Sequence, residues 1–191
     1  EISLVPKNEG LKLISDDYMT SKIPVMEQII SSYFFYFLSR LLLSSRKAYL
    51  GVCQFWRSNP IPNPDSYAAQ NWHYDCDGIG WVKYFINLTA IDINSGPHQA
   101  ILSTHRPGSK DQELLDLGFC GCGGVEISLQ MIEPTLSTES GQKLVTFEAD
   151  KGSVLAGDTR CWHRGMPPIS NTRELIELVY FCHTAGMEKN I

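Results

Sequence analysis

A chain of 191 residues with 43% hydrophobic and 10% aromatic content has the size and composition of a single core-forming domain, which excludes a disordered or fibrous chain. A formal net charge of -5 carries no basic stripe of the kind nucleic acid recruits, so no nucleic-acid partner is expected. The six cysteines, Cys53, Cys76, Cys120, Cys122, Cys161 and Cys182, include only one close pair, Cys120 and Cys122, and no second pair to complete a zinc site. Free thiols in a reducing, cytoplasmic setting are therefore expected.

The first residues from Glu1 lack a basic stretch followed by an apolar run, so no secretory leader is expected there. Residues 1 to 20 are polar and weakly patterned. Residues 25 to about 45 read as a helix, because Ile29/Ile30, Tyr33/Phe34, Phe37/Leu38 and Leu41/Leu42 recur at helical spacing. This stripe is expected to pack on the outside of a sheet. The segment from Ile29 to Leu43 is too short for a membrane span and is interrupted by Ser31, Ser32, Ser39 and Arg40, so no membrane partner is expected.

Tyr49 to Arg57 reads as a strand. Residues 59 to 65 hold three prolines and read as a loop, either at the mouth of a site or a plain surface connection. From residue 72 onward the chain is strand-rich. Trp81 to Ile91, Gln99 to Ser103, Glu126 to Ile132, Lys143 to Ala149, Ser153 to Ala156 and Glu174 to His183 are predicted strands, rich in β-branched and aromatic residues. Asp111 to Leu117 suggests one or two helical turns, and the glycines of Phe119 to Gly124 a loop. Many short strands after one helix suggest a mainly β fold with flanking helices, a double-stranded β-helix of the jelly-roll, cupin-like kind.

The chemistry concentrates in His73-Tyr74-Asp75, His163 and Arg173. In a strand, residues two apart point to the same side, so His73 and Asp75 can reach one metal ion. Two imidazoles and a carboxylate form the facial ligand set of non-haem Fe(II), which leaves the opposite face open for co-substrate and O2. Arg173 follows His163 by ten positions. A guanidinium is permanently charged and grips a carboxylate through two parallel hydrogen bonds. A 2-oxo diacid such as 2-oxoglutarate needs one end on iron and the other on such a group. Alternation puts Lys83, Phe85 and Asn87 on one face of the strand after Asp75, and Tyr84, Ile86 and Leu88 on the other. The pattern does not say which face is inward; if it is the first, Lys83 and Asn87 touch the co-substrate. Trp72 and Trp162 are expected to point away from the ligands, into packing. Asp77 is expected to be a loop acid or a partner that orients a ligand, not part of a calcium loop, because Ile79 and Ile86 stand where oxygen ligands belong.

The ordered blocks Gln70-Asn71-Trp72-His73-Tyr74-Asp75, Ser95-Gly96-Pro97-His98-Gln99, Ser103-Thr104-His105, Gly157-Asp158-Thr159-Arg160, His163-Arg164-Gly165 and Arg173 resemble the phytanoyl-CoA dioxygenase family of Fe(II)/2-oxoglutarate oxygenases, over about residues 70 to 180. The resemblance implies a jelly-roll core at about 48–185 under an N-terminal helical cover at about 20–47, together one domain over 1–191. It implies Fe(II) on His73, Asp75 and His163, 2-oxoglutarate on Arg173, O2 as oxidant and ascorbate as reductant in assays. It also implies hydroxylation of a small-molecule or acyl substrate with release of succinate and CO2. Related halogenases carry a small residue where Asp75 stands, which favours hydroxylation here. His98 and His105 belong to the matching blocks and are not assigned to iron. Asp158 and Thr159 are expected to be structural, and Arg164 to reach the substrate mouth. Two alternatives stand beside this reading: a non-catalytic, cupin-like metal-binding or sensing module, and a jelly-roll iron enzyme that uses no 2-oxo acid. Substrate identity and oligomeric state are not written in the pattern.

Overall fold

The structure is a computed structural model that describes residues 5–6, 11–14, 24–60, 70–105, 125–127 and 143–183. Helix α1 (Pro24–Ile30) and helix α2 (Tyr33–Leu42) follow the short strands β1 (Val5–Pro6) and β2 (Leu11–Ile14). Then come β3 (Tyr49–Ser58), β4 (Trp72–Tyr74), β5 (Trp81–Asn87), a 3-10 turn (Ile93–Ser95), β6 (His98–Ile101), β7 (Val125–Ile127), β8 (Leu144–Phe147), β9 (Val154–Gly157), β10 (His163–Gly165) and β11 (Arg173–Phe181). The expected helix at 111 to 117, the loop at 119 to 124, Cys120 and Cys122 lie outside the described residues, as does the loop at 59 to 65 beyond Pro60.

The strands form two antiparallel sheets. The larger runs β1-β2-β3-β11-β5-β9 and the smaller β7-β4-β10-β6-β8. Successive strands lie in opposite sheets from β3 to β6 and again from β8 to β11, while β6, β7 and β8 share the smaller sheet, so the two sheets face each other as in a jelly roll. The double-stranded β-helix expected from the strand pattern is therefore the fold. The central strand β11 pairs along its length with β3 and β5, and both of its faces are covered. Ile176, Leu178 and Tyr180 face outward and pack with Val82, Tyr84 and Cys53 against Met26 and Phe35 of the two helices. Arg173, Leu175, Glu177, Val179 and Phe181 face inward and line a cavity between the sheets. Removing one outward Leu would leave a hole costing about 2–5 kcal/mol.

The helical cover differs from the expectation in two ways. It breaks at Ser31-Ser32, where Ser32 caps the second helix by accepting from the Phe34 amide. It also turns another face inward. Phe35 and Ser39 are buried, whereas Tyr33, Phe34, Phe37 and Leu41 are exposed. The reason is a polar contact across the core: Ser39 Oγ and Tyr84 Oη share a buried hydrogen bond of 2.9 Å. Once that pair is fixed, the 100° step of the helix sends Tyr33 and Phe37 to the outside. The strand expected over 81 to 91 stops at Asn87, and Ile91 makes an isolated bridge to Ala149. Cys53, Cys76, Cys161 and Cys182 form no disulfide. Among the described residues no helix is long and apolar enough to cross a membrane.

Candidate metal centre

Strand β4 alternates as its sequence demands. Trp72 and Tyr74 are buried on one side, and His73 and Asp75 project to the other. Strand β10 lies antiparallel to β4 with His163 directly across from His73, and the two rings are 4.1 Å apart between centroids. Behind the ligands, Trp162 packs edge-on against Tyr74 at 4.9 Å. Its backbone N–H donates to Thr104 Oγ1 at 2.9 Å, and the Thr104 hydroxyl donates to the Ile101 carbonyl at 2.7 Å. Thr159 secures Asp75: its carbonyl accepts the Asp75 amide at 2.9 Å, and its hydroxyl accepts Trp81 Nε1 at 2.9 Å. The structural role expected of the 157–160 block is what the geometry shows.

The imidazole tautomers follow from the backbone. His73 Nδ1 lies 2.8 Å from the Asn71 carbonyl, and His163 Nδ1 lies 2.9 Å from the Cys161 carbonyl. A carbonyl only accepts, so both Nδ1 atoms carry a proton, and in the neutral ring the lone pair sits on Nε2. The two Nε2 atoms face Asp75: His73 Nε2 is 3.8 Å from Oδ1 and His163 Nε2 is 3.6 Å from Oδ2. One ligand atom from each of the three residues lies within 4.8 Å of the others. Asp75 Oδ2 is buried, with the Lys83 ammonium 2.8 Å away. Two imidazole Nε2 atoms and an ionised carboxylate converging on one point are a donor set that fits a divalent ion of the Fe(II) class.

Electrostatics agree with that donor set. Burial pushes the His163 pKa down to about 3, so the ring is neutral and its Nε2 is available. Burial pushes the Asp75 carboxyl up, but His163, Lys83 and His73 outweigh it and hold it at about 2, so Asp75 is ionised.

Lys83 settles the open question of β5: Lys83, Phe85 and Asn87 line the cavity, and Tyr84 packs outward against the helices. The Lys83 ammonium sits 2.8 Å from Asp75 Oδ2, 2.9 Å from Asp77 and 3.4 Å from Glu177. Burial works against its charge, but Glu177, Asp75 and Asp77 outweigh burial and push its pKa above the ordinary range. Glu177 is braced in turn by Trp56 Nε1, which donates at 2.7 Å. Lys83 is thus at the metal end of the cavity. Asn87 sits farther along β5, opposite Leu175.

Arg173 begins β11 opposite Ser58, and its guanidinium is buried at the other end of the same cavity. Nη1 donates to the Gly96 carbonyl, and Nη2 reaches Ser58 Oγ at 3.5 Å. Burial pushes its pKa down to about 10, which leaves it charged at neutral pH. Neither acid of its own strand pairs with Arg173: Glu174 pairs with Arg57 at 3.4 Å and Glu177 with Lys83 at 3.4 Å. Gly165 makes the guanidinium's slot, since a Cβ there would stand 2.6 Å from Nη2, while Gly96, at φ 73°, lets its own turn pack against the Met166–Pro168 backbone and so places the carbonyl that Nη1 meets.

The six predicted site residues therefore line one cavity of about 590 Å³. Arg164 is a correction. It does not reach toward a substrate mouth; it lies over the Trp72 ring at 4.9 Å and donates to Gln99 at 2.9 Å, on the outer side of β10. Alternation explains this, because the neighbour of an inward His163 must face away. Glu177, His98, Gly96 and Gly165 were not singled out as contributors to the site. The signal for Glu177 is an acid inside an apolar strand, while Gly96, His98 and Gly165 fall within the blocks that carry the family resemblance.

No protein-family model matches the chain, and a search of curated proteins finds no match. Solved structures do resemble it. The epimerase SnoN in complex with Fe3+, alpha ketoglutarate and nogalamycin RO superposes with a TM-score of 0.65 at 14% identity, over 94% of this chain and 70% of that one. HygX from Streptomyces hygroscopicus, with nickel and 2-oxoglutarate bound, gives a TM-score of 0.61 at 14% identity, over 94% and 73%. EctD from S. alaskensis, with bound Fe, gives a TM-score of 0.63 at 17% identity, over 94% and 59%. At this level of identity the likeness establishes the shared jelly-roll fold.

Proposed function

We propose that the protein is an Fe(II)- and 2-oxoglutarate-dependent oxygenase that hydroxylates a small-molecule or acyl substrate, with residues 1–191 as one domain. The observation that carries the reading is the convergence of His73 Nε2, Asp75 and His163 Nε2 at one end of a cavity whose other end holds the buried Arg173. The nickel- and 2-oxoglutarate-bound HygX and the Fe3+- and alpha ketoglutarate-bound SnoN support it by showing this fold with such ligands.

In this reading His73, Asp75 and His163 hold the metal on one face. When bound, Fe(II) with 2-oxoglutarate and O2 supplies the oxidising power for C–H hydroxylation, releasing succinate and CO2. Arg173 receives the distal carboxylate of 2-oxoglutarate, with its guanidinium already aimed by the Gly96 carbonyl and the Gly165 slot. Asn87 lines the passage between the two ends and is proposed to touch the co-substrate. Lys83, proposed at first as another such contact, is engaged by Asp75, Asp77 and Glu177, so its part is to hold Asp75 ionised and oriented. Trp56, Phe85, Leu175 and Phe147 line the same cavity and keep bulk water from the reacting centre. Asp75 fills the carboxylate position, so no coordination site is left for halide, and hydroxylation is the favoured outcome over halogenation.

Succinate release tests the proposal. Metal-loaded protein with Fe(II), ascorbate and 2-oxoglutarate is expected to form succinate slowly alone and faster with a matching member of a metabolite library. Binding of 2-oxoglutarate with no stimulation by any candidate would favour the sensing-module alternative. Absence of any 2-oxoglutarate binding would support the alternative of an iron enzyme that uses no 2-oxo acid.

A further inference from the structure

We propose that His98 is a co-substrate-binding residue, its imidazole N–H donating to the 2-oxo diacid where that molecule runs from the metal ligands to Arg173. The inference rests on the oxygenase reading above and adds a residue to it.

Three contacts locate the ring. On one side it stacks on His163, with centroids 5.4 Å apart and planes at 22°. On its strand it is the register partner of Gly165, the residue whose missing Cβ makes room for Arg173 Nη2. Two positions earlier, Gly96 gives its carbonyl to Arg173 Nη1. His98 is therefore bounded by a metal-ligand imidazole at one end and the Arg173 slot at the other, and it lines the cavity that connects them. A linear diacid that touches both ends passes alongside this ring.

The surroundings say why the residue is a histidine. Phe85 lies 5.1 Å away across the sandwich and Phe147 5.9 Å away on the neighbouring strand, both as ring-centroid distances. For packing alone between two phenylalanines, an aliphatic or aromatic side chain would serve without the cost of desolvating a ring N–H. The ring keeps partial exposure, and the cavity is the open space it lines. A donor set in an apolar wall beside a charged guanidinium is complementary to a carboxylate, and a hydrogen bond to a charged oxygen is among the stronger kinds.

The test uses the full chain loaded with zinc, which blocks turnover, and isothermal titration first with the metal and then with 2-oxoglutarate. His98→Leu is expected to keep zinc affinity within about two-fold while weakening 2-oxoglutarate by about ten-fold or more. His98→Gln, which restores an N–H donor, is expected to regain part of the loss. Unchanged 2-oxoglutarate affinity in His98→Leu would overturn the proposal. So would a parallel fall in zinc affinity, which would mean that the ring acts only by packing on His163, and so would a glutamine variant no better than leucine. Wild-type protein that takes up zinc but no 2-oxoglutarate would instead remove the oxygenase reading itself, and this inference with it; that failure is distinguishable because it appears before any substitution is made.

Discussion

Gly165→Ala probes the anchor without touching a charge. Gly165 sits on β10 two residues after His163, and its α-carbon is pressed against the Arg173 guanidinium. An added Cβ would lie 2.6 Å from Nη2, 3.1 Å from Nη1 and 3.3 Å from Cζ, whereas ordinary contact begins near 3.4 Å. Three short contacts to one planar group leave no rotation of Cβ that relieves them together. The guanidinium must retreat by most of an ångström, and it is buried and tied to the Gly96 carbonyl. Overpacking of this kind costs about 1–3 kcal/mol of stability. Displacing the charged donor from its carboxylate is expected to weaken 2-oxoglutarate by about 1–3 kcal/mol, roughly 5- to 150-fold. Metal affinity should be unchanged, since His73, Asp75 and His163 do not move. Gly157→Ala is the control, because nothing lies within 4 Å of a Cβ there; it should be neutral or stabilise by up to about 1 kcal/mol. Urea denaturation and a 2-oxoglutarate titration of the zinc-loaded proteins read both effects. Wild-type 2-oxoglutarate affinity in a folded Gly165→Ala would refute the placement of the distal carboxylate on Arg173.

Arg173→Ala should weaken 2-oxoglutarate binding by about 2–5 kcal/mol in an anaerobic titration, as for truncating one partner of a buried charge pair. Asp75→Ala should largely abolish succinate formation and lower metal affinity, and wild-type turnover in chloride should yield no halogenated product by mass spectrometry. Lys83→Met leaves three carboxylates without their shared cation, and a loss of about 3–5 kcal/mol in chemical denaturation is expected. In metal-free protein Asp75 is held at about 2 against an ordinary 3.8. A depressed carboxyl contributes its stability above its unfolded value and loses it as pH falls toward the folded one. From pH 5 to pH 3 that loss is about 1 kcal/mol, and comparing urea unfolding of wild type and Asp75→Asn should isolate it.

The ligand set was legible because its spacing is local. Two residues apart on a strand settle that His73 and Asp75 share a side, whatever the strand pairs with. The β class was legible from short runs of β-branched and aromatic residues between turn signals. The inward face of β5 was not, because both faces are covered: Tyr84 is buried under the helices while Lys83 and Phe85 line the cavity. Alternation separates buried from exposed positions, and here there is little exposure to separate. The helix was misoriented for a related reason. Ser39 is polar and falls outside the apolar stripe, and only its pairing with Tyr84, 45 positions away, brings that face inward. Glu177 and Gly165 acquire meaning only through distant partners, Lys83 and Arg173, which no single-sequence pattern joins. Arg173 itself was readable from its offset after His163, but not the Gly96 carbonyl and the Gly165 slot that hold it in place.

The central claim is that one cavity holds a metal at one end and the carboxylate of a 2-oxo diacid at the other. An anaerobic titration of 2-oxoglutarate into Fe(II)-loaded protein, followed by its visible charge-transfer absorption, tests that claim most directly. One equivalent of metal should bind and require His73, Asp75 and His163, and the band should appear on adding 2-oxoglutarate and weaken strongly in Arg173→Ala. Metal-loaded wild-type protein that develops no band and binds no 2-oxoglutarate would contradict the account.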